Sequence, residues 1–270
     1  MTMYLKFKAL HHQAQPLIVG NVWNVQSARI YEKLNFQAIG TSSAAIAHSL
    51  GYEDGEQISF SDLMFIVKKI RSSVFLPLSV DIEFGYGKTA NEIAGNIIAL
   101  EKLGGIGINI EDSFIENGRR KLNDSLEFSQ LLQEVKRILM AHGISIFLNV
   151  RCDAFLLNVP NALQNATERA KIYEKAGADG LFLPCITEEN AIAKIVSETN
   201  LPLNVMCMPD LPDFGTLKKL GVKRISMGNF VNAYAYTAIA EATTKILSEQ
   251  SFNVLFKNGI DKSDDVPSNC

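Results

Sequence analysis

No apolar run in this 270-residue chain approaches the roughly 20 residues that a bilayer-crossing helix needs, so no transmembrane helix is expected. The opening MTMYLKFKALHHQ has no apolar core of the secretory kind, and the expected compartment is the cytoplasm. Cysteine is scarce. The four residues Cys152, Cys185, Cys207 and Cys270 show neither metal-ligand spacing nor a disulfide framework, so reduced thiols are expected. Charge of one sign is not in excess: 26 Lys and Arg against 29 Asp and Glu leave a formal net charge of -3. That balance gives no basic face for nucleic acid or an anionic membrane, and the expected partner is a small molecule. The four histidines (His11, His12, His48, His142) fall in helical patterns or away from strand ends, which argues against imidazole acid–base chemistry. A glycine-rich phosphate loop is also missing. The first apolar run continues Val19-Gly-Asn-Val-Trp23, which removes the usual signature of a doubly wound nucleotide-binding sheet.

What the chain does have is an internal repeat. Glu32-Lys-Leu-Asn-Phe36, Glu101-Lys-Leu-Gly-Gly105, Glu174-Lys-Ala-Gly-Ala178 and Lys218-Lys-Leu-Gly-Val222 each end a helical pattern and precede a short apolar run; Ala141-His-Gly143 is a looser copy. Gly or Asn supplies the left-handed residue that ends a helix, and lysine complements the helix dipole there. Helix, cap and buried strand make the period of a βα unit, hence parallel strands. The apolar runs lie at 17–20, 38–42, 77–81, 106–111, 145–150, 180–183, 202–206 and 224–228, with helical patterns at 60–73, 89–103, 124–141, 161–176 and 188–198. Eight alternations in an α/β chain of this length predict a (β/α)8 TIM barrel. A helix at 231–249 extends it, giving one barrel domain over 1–258 with its C-terminal helices and a flexible tail over 259–270.

In such a barrel, chemistry sits at the C-terminal ends of the strands. The third run ends in Asp81-Ile-Glu-Phe-Gly-Tyr-Gly87, placing Asp81 and Glu83 on one face if the strand continues. The fourth ends in Glu111-Asp112. Carboxylates gathered at neighbouring strand ends repel one another unless a cation lies between them, and all-oxygen ligands suit a hard ion such as Mg2+, or Mn2+. The second run ends in Thr41-Ser42-Ser43, whose N–H groups suit a carboxylate or oxyanion, although serine there also caps helices. Arg151 ends the fifth run as a permanent cation facing the acids, or as an ion-pair partner of Asp153 or Glu111. Asn204 lies in the seventh and is a further candidate for binding a small carboxylate substrate. The loop Ser49-Leu-Gly-Tyr-Glu-Asp-Gly-Glu56 reads either as an acidic surface loop or as a glycine-hinged lid carrying Asp54.

Six segments in order carry a family likeness: Asn24-Val-Gln-Ser-Ala-Arg29, Ala38-Ile-Gly-Thr-Ser-Ser43, Ser49-Leu-Gly-Tyr-Glu-Asp54, Asp81-Ile-Glu-Phe-Gly-Tyr-Gly87, Ile110-Glu-Asp112 and Asn149-Val-Arg-Cys-Asp153. Between Gly20 and Gly228 the chain resembles the phosphoenolpyruvate mutase/isocitrate lyase superfamily. The resemblance implies a barrel assembled as a dimer or tetramer with an exchanged C-terminal helix. It implies Mg2+ held by Asp81, with Glu83 and Glu111 acting directly or through its waters. It further implies an oxo-carboxylate bound by the backbone of Ser42, Ser43 and Ala44, an anionic group gripped by Arg151, and Asp54 as the lid carboxylate at the reacting centre.

The departures narrow the reaction. Isocitrate and methylisocitrate lyases carry a Lys-Lys-Cys-Gly-His segment after the fourth strand, where this chain has Ser113-Phe-Ile-Glu-Asn-Gly-Arg-Arg-Lys121. Ser113 also stands where mutases and phosphonopyruvate hydrolases place a lysine, with Arg119, Arg120 or Lys121 as possible substitutes. The expected activity is therefore Mg2+-dependent cleavage of a C–C bond in a small oxo- or hydroxy-(di)carboxylic acid through a metal-bound enolate. The alternatives are P–C chemistry on phosphonopyruvate and, in another class, a barrel that binds metal and carboxylate without turnover.

Overall fold

The helix-ending repeat behaves as its chemistry requires. In the computed structural model, which describes residues 2–256, Asn35, Gly104, Gly143, Gly177 and Gly221 adopt φ of 59°, 90°, 68°, 92° and 89°. Each left-handed residue stops a helix and sends the chain into the next buried strand.

The elements in chain order are α1 (Met3–Leu10), β1 (Leu17–Val22), α2 (Val25–Lys33), β2 (Ala38–Thr41), α3 (Ser43–Ser49), α4 (Phe60–Arg71), β3 (Leu78–Asp81), α5 (Ala90–Lys102) and β4 (Gly107–Glu111). There follow β5 (Ser113–Glu116), β6 (Arg119–Leu122), α6 (Ser125–Ala141), β7 (Phe147–Arg151), α7 (Ala162–Lys175), β8 (Gly180–Leu183), α8 (Glu189–Glu198), β9 (Leu203–Met206), α9 (Phe214–Lys219), β10 (Arg224–Ser226) and α10 (Phe230–Glu249). Eight strands close into a parallel barrel in the order β1-β10-β9-β8-β7-β4-β3-β2. Leu17 pairs with Arg224 across the closing seam, and Glu111 pairs with Arg151 where β4 meets β7. The expected (β/α)8 barrel is therefore the fold, with every expected strand in place.

Helices cover the barrel by their apolar stripes. In α6, Phe128, Leu132, Val135 and Leu139 recur at three- and four-residue spacing and are buried. Two elements stand outside the regular alternation. Helix α1, capped by the Thr2 side chain, buries Phe7 among Leu17, Val19, Ala38, Ile106 and Phe147, at the strands' N-terminal ends. His11, just beyond it, stacks on Phe147 with ring centroids 4.1 Å apart. The second insertion is the antiparallel hairpin β5–β6, which grows from the C-terminal end of β4. Its turn residues Asn117 and Gly118 have φ of 52° and 73°, the left-handed pair that a two-residue hairpin favours.

The chain falls into two compact units, one through Asn229 and the other from Phe230 onward. The second contains α10, on which Tyr234, Tyr236, Ile239 and Leu247 are exposed. The tail expected at 259–270 lies outside the described residues. Among the described residues, no helix is long and apolar enough to cross a membrane.

Candidate active site

A cavity of about 470 Å³ opens at the C-terminal ends of the barrel strands, lined among others by Ser43, Ala44, Asp54, Asp81, Arg120 and Arg151. The junction of β2 and α3 builds one wall. Ser42 caps the helix, its hydroxyl accepting the Ala45 N–H at 3.3 Å, while the Ser43 hydroxyl turns to Asp81 and donates to Oδ2 at 3.0 Å. The capping reading holds for Ser42, while Ser43 turns its hydroxyl to a strand-end carboxylate. Asp81 ends β3, where its N–H donates to Thr41 Oγ1 at 2.8 Å and its Oδ1 accepts the Glu83 N–H at 3.2 Å.

The loop after α3 brings Asp54 in from above. Its Oδ1 lies 3.4 Å from Ser43 Oγ and its Oδ2 lies 3.3 Å from Arg120 Nη2. The flanking glycines sit at φ of 84° (Gly51) and 114° (Gly55), where a side chain is strained. A Cβ on Gly55 would collide with the Ile115 side chain, so loop and hairpin touch.

Arg151 pairs with both of its expected partners. It forks onto Asp153 at 2.6 and 3.1 Å and reaches Glu111 Oε2 at 2.9 Å, while lining the cavity. Arg120, delivered by β6, holds Glu111 from the other side and Ser113 Oγ at 2.9 Å. One hairpin residue thus links the loop carboxylate Asp54 to the strand-end carboxylate Glu111. Among Arg119, Arg120 and Lys121, only Arg120 lines this cavity. The signal for it was the Asn117-Gly118 dipeptide between two short runs, which marks a hairpin and fixes which residues face inward.

Three expectations need correction. Strand alternation predicts Glu83 beside Asp81, but the strand ends at Asp81 and Glu83 is left-handed at φ 50°. Its carboxylate turns into a neighbouring cavity of about 910 Å³, accepting the Glu56 N–H at 2.5 Å and the Tyr86 hydroxyl at 3.2 Å. Asn204 does not line the 470 Å³ cavity: it is fully buried, donating to Val205 O at 2.6 Å and Ser226 Oγ at 3.0 Å. Its strand position lies a layer below the rim. Asp112, grouped with Glu111 as a second acidic pair, points the other way; it accepts from Tyr173 at 2.6 Å, Arg169 at 3.0 Å and the Asp153 N–H at 2.9 Å. Two further lining residues, His48 in the last turn of α3 and Asn109 on β4, went unselected in the sequence.

The electrostatics are lopsided. Asp54, Asp81, Glu83, Glu111 and Asp153 crowd around Arg120 and Arg151. Burial raises the Asp81 carboxyl above its usual range, with Arg151 opposing and Asp54 adding to the rise. Burial, with Asp54, Asp81 and Glu111 nearby, pushes Glu83 up to about 8. Glu111 is also raised by burial, against the pull of Arg151. A cation would relieve this crowding. Among the described residues no three His, Cys, Asp or Glu side chains converge as direct ligands, so Asp81, Glu83 and Glu111 do not form a closed three-carboxylate cage. The donor set instead fits a hydrated hard ion, since Mg2+ keeps several waters and takes only one or two carboxylates. Of these three carboxylates, Asp81 faces the cavity, together with Asp54, whereas Glu83 and Glu111 line the neighbouring one. The thiols contribute little: burial holds Cys152 in its protonated form.

Comparison with known proteins gives a consistent picture. The sequence profile of a family described as phosphoenolpyruvate phosphomutase matches residues 7–247. An uncharacterised protein of Mycobacterium tuberculosis is 31% identical over 242 residues, covering 90% of this chain and 89% of that protein. An oxaloacetate decarboxylase of Bradyrhizobium sp. is 30% identical over 235 residues, covering 85% and 80%. Among crystal structures, a candidate phosphonomutase from Burkholderia cenocepacia superposes with a TM-score of 0.84 at 32% identity, covering 90% of this chain and 99% of that one.

Proposed function

This chain belongs to the phosphoenolpyruvate phosphomutase family, enzymes of the phosphoenolpyruvate mutase/isocitrate lyase superfamily, and we propose that it is a cytoplasmic Mg2+-dependent lyase. Its substrate is a small oxo- or hydroxy-dicarboxylic acid, and the bond broken is a C–C bond next to a carboxylate. The observation that carries this reading is the Ser43 hydroxyl, set between Asp81 at 3.0 Å and the lid carboxylate Asp54 at 3.4 Å, in a cavity that also holds Arg151.

Asp81 would hold the ion, with Glu83 and Glu111 acting through its waters. Bound there, a divalent cation would supply positive charge to the substrate oxygen that becomes anionic as the C–C bond breaks. The chain's own residues do the rest. Ser43 and Ala44 open α3, so their N–H groups have no acceptor within the helix and are available to the substrate carboxylate. Arg151 and Arg120 grip the distal anionic group. Asp54, on the lid, handles the proton at the reacting carbon, and closure of the lid keeps water out while it does so.

The test is a substrate panel of oxaloacetate, substituted malates, methylisocitrate and phosphonopyruvate, each with Mg2+ and with EDTA. Turnover that survives both EDTA and Asp81→Ala would discard the metal-assisted reading. A second reading, P–C chemistry on phosphonopyruvate, is favoured by two guanidinium groups on the one cavity, Arg120 and Arg151, and by the likeness to the Burkholderia candidate phosphonomutase. Conversion of phosphonopyruvate to phosphoenolpyruvate, or to pyruvate with release of phosphate, would establish it. The exposed Tyr234, Tyr236, Ile239 and Leu247 of α10 support assembly as a dimer or tetramer, which the mass in solution would test.

A further inference from the structure

The barrel interior beneath the cavity is polar. Where parallel barrels usually stack branched apolar side chains, this one buries Ser79, Asn109, Asn149, Asn204 and Arg224. Arg224 is 1% exposed, and its Nε and Nη1 have no partner among the described residues. No carboxylate of the described residues lies within ion-pair distance of it, so it is not half of a buried salt bridge. Its one hydrogen bond runs from Nη2 to Asn109 Oδ1 at 3.4 Å.

That bond belongs to a chain whose polarity is set at both ends. The Val205 carbonyl can only accept, so the Asn204 amide turns its NH2 toward it at 2.6 Å. Asn204 Oδ1 must then accept, and Asn149 Nδ2 donates to it at 3.2 Å. The same Asn149 Nδ2 donates to Asn109 Oδ1 at 2.9 Å. From the other side Arg224, which can only donate, points at that same oxygen. Asn109 Oδ1 is therefore held by two donors in the interior. Two amide groups of the chain are left without a partner among the described residues: Asn149 Oδ1, which is buried, and the Asn109 NH2, on a side chain that lines the cavity.

We propose that Asn109 is a further substrate-binding residue, presenting an N–H donor to a carboxylate or keto oxygen at the cavity floor, and that Arg224 is a positioning residue that fixes the direction of that amide. The proposal rests on the oxo-acid reading above and deepens it. It also accounts for the buried guanidinium, because Arg224 prevents the amide from flipping and offering its own oxygen to an anionic ligand.

Oxalate is the probe, its affinity in the presence of Mg2+ measured by calorimetry on the whole chain. Asn109→Leu should raise Kd about 10- to 100-fold, the loss expected for one hydrogen bond to a charged group. Asn109→Asp, which cannot donate when ionised, should be at least as damaging. Arg224→Met should weaken binding several-fold, and Arg224→Lys should recover part of that loss. In the double variant Asn109→Leu with Arg224→Met, oxalate should bind no more weakly than to Asn109→Leu alone, because Arg224 acts through Asn109. A purely structural role would instead give additive losses, and additivity overturns the positioning claim. Should Arg224→Met fail to fold, Arg224→Lys and the two Asn109 variants decide. Wild-type affinity in Asn109→Leu sinks this inference and leaves the proposed function standing. Failure of the wild-type chain to bind oxalate or pyruvate with Mg2+ sinks both.

Discussion

The Ser43 hydroxyl donates to Asp81 Oδ2 at 3.0 Å, joining the first residue of α3 to the last residue of β3. The contact ties the strand-end carboxylate to the start of a short helix. Asp81→Ala should lower kcat/KM about 100-fold or more, in line with the several kcal/mol a catalytic metal supplies. Ser43→Ala should cost about tenfold, with Asp81 left in place but less well aimed. Steady-state kinetics over a range of Mg2+ concentrations separates the two. Asp81→Ala should not respond to added metal, whereas Ser43→Ala should show a raised requirement for it.

Gly55 combines a φ of 114° with the Ile115 side chain where its own Cβ would be. Gly51, at φ 84°, has open space around it. Alanine at either position carries the backbone cost of a left-handed residue, about 1 kcal/mol. Only Gly55→Ala also pushes the loop off the hairpin. Turnover should therefore fall further in Gly55→Ala than in Gly51→Ala, at similar melting temperatures. Equal activity in the two variants would show that the loop–hairpin contact does not matter to the reaction.

His11 is buried against Phe147, with its Nδ1 2.9 Å from the Phe7 carbonyl, and burial with nearby Arg224 lowers its pKa to about 3. The unfolded chain binds this proton near pH 6.5, so between pH 6.5 and 3 the unfolded state carries more charge than the folded one. Stability contributed by neutral His11 is complete above pH 6.5 and is lost as the pH falls through that window, by at most about 1.4 kcal/mol per unit. Denaturant melts from pH 7 to 4 should show a shallower decline in His11→Gln than in the wild type.

Asp112 is fully buried and accepts from Tyr173, Arg169 and the Asp153 backbone. Asp112→Ala leaves the Arg169 cation without its acid and should cost about 3–5 kcal/mol of stability, read from chemical denaturation. Activity per folded molecule should change far less than in Asp81→Ala. The neighbouring Glu111→Ala should show the opposite balance, with a larger loss of turnover.

The barrel was legible because its signals are local and repeated. Asn35, Gly104, Gly177 and Gly221 mark helix ends by a backbone demand that few other residues meet, and the apolar runs that follow can only be buried strands. Ser43, Asp81 and Arg151 were legible for the same reason, since each ends a strand or starts the helix that follows. Depth and direction were not legible. Nothing in the sequence near Asn204 says that its strand position lies below the rim. Glu83 left the expected face because one left-handed residue broke the two-residue alternation, and no composition signal marks a glutamate for that conformation. Arg120 depended on pairing between two short, partly exposed strands, whose register becomes visible only once Asn117 and Gly118 are read as a turn.

Phe7 stoppers the lower mouth of the barrel, sealed among Leu17, Val19, Ala38, Ile106 and Phe147. A vessel closed at its base has one doorway. Under the proposed cleavage, both fragments of the substrate would leave by the cavity that Asp54 lines, one after the other, before another molecule is admitted. On that reading, the loop bearing Asp54 would set the pace of that traffic, since lid opening limits many enzymes that sequester their substrate.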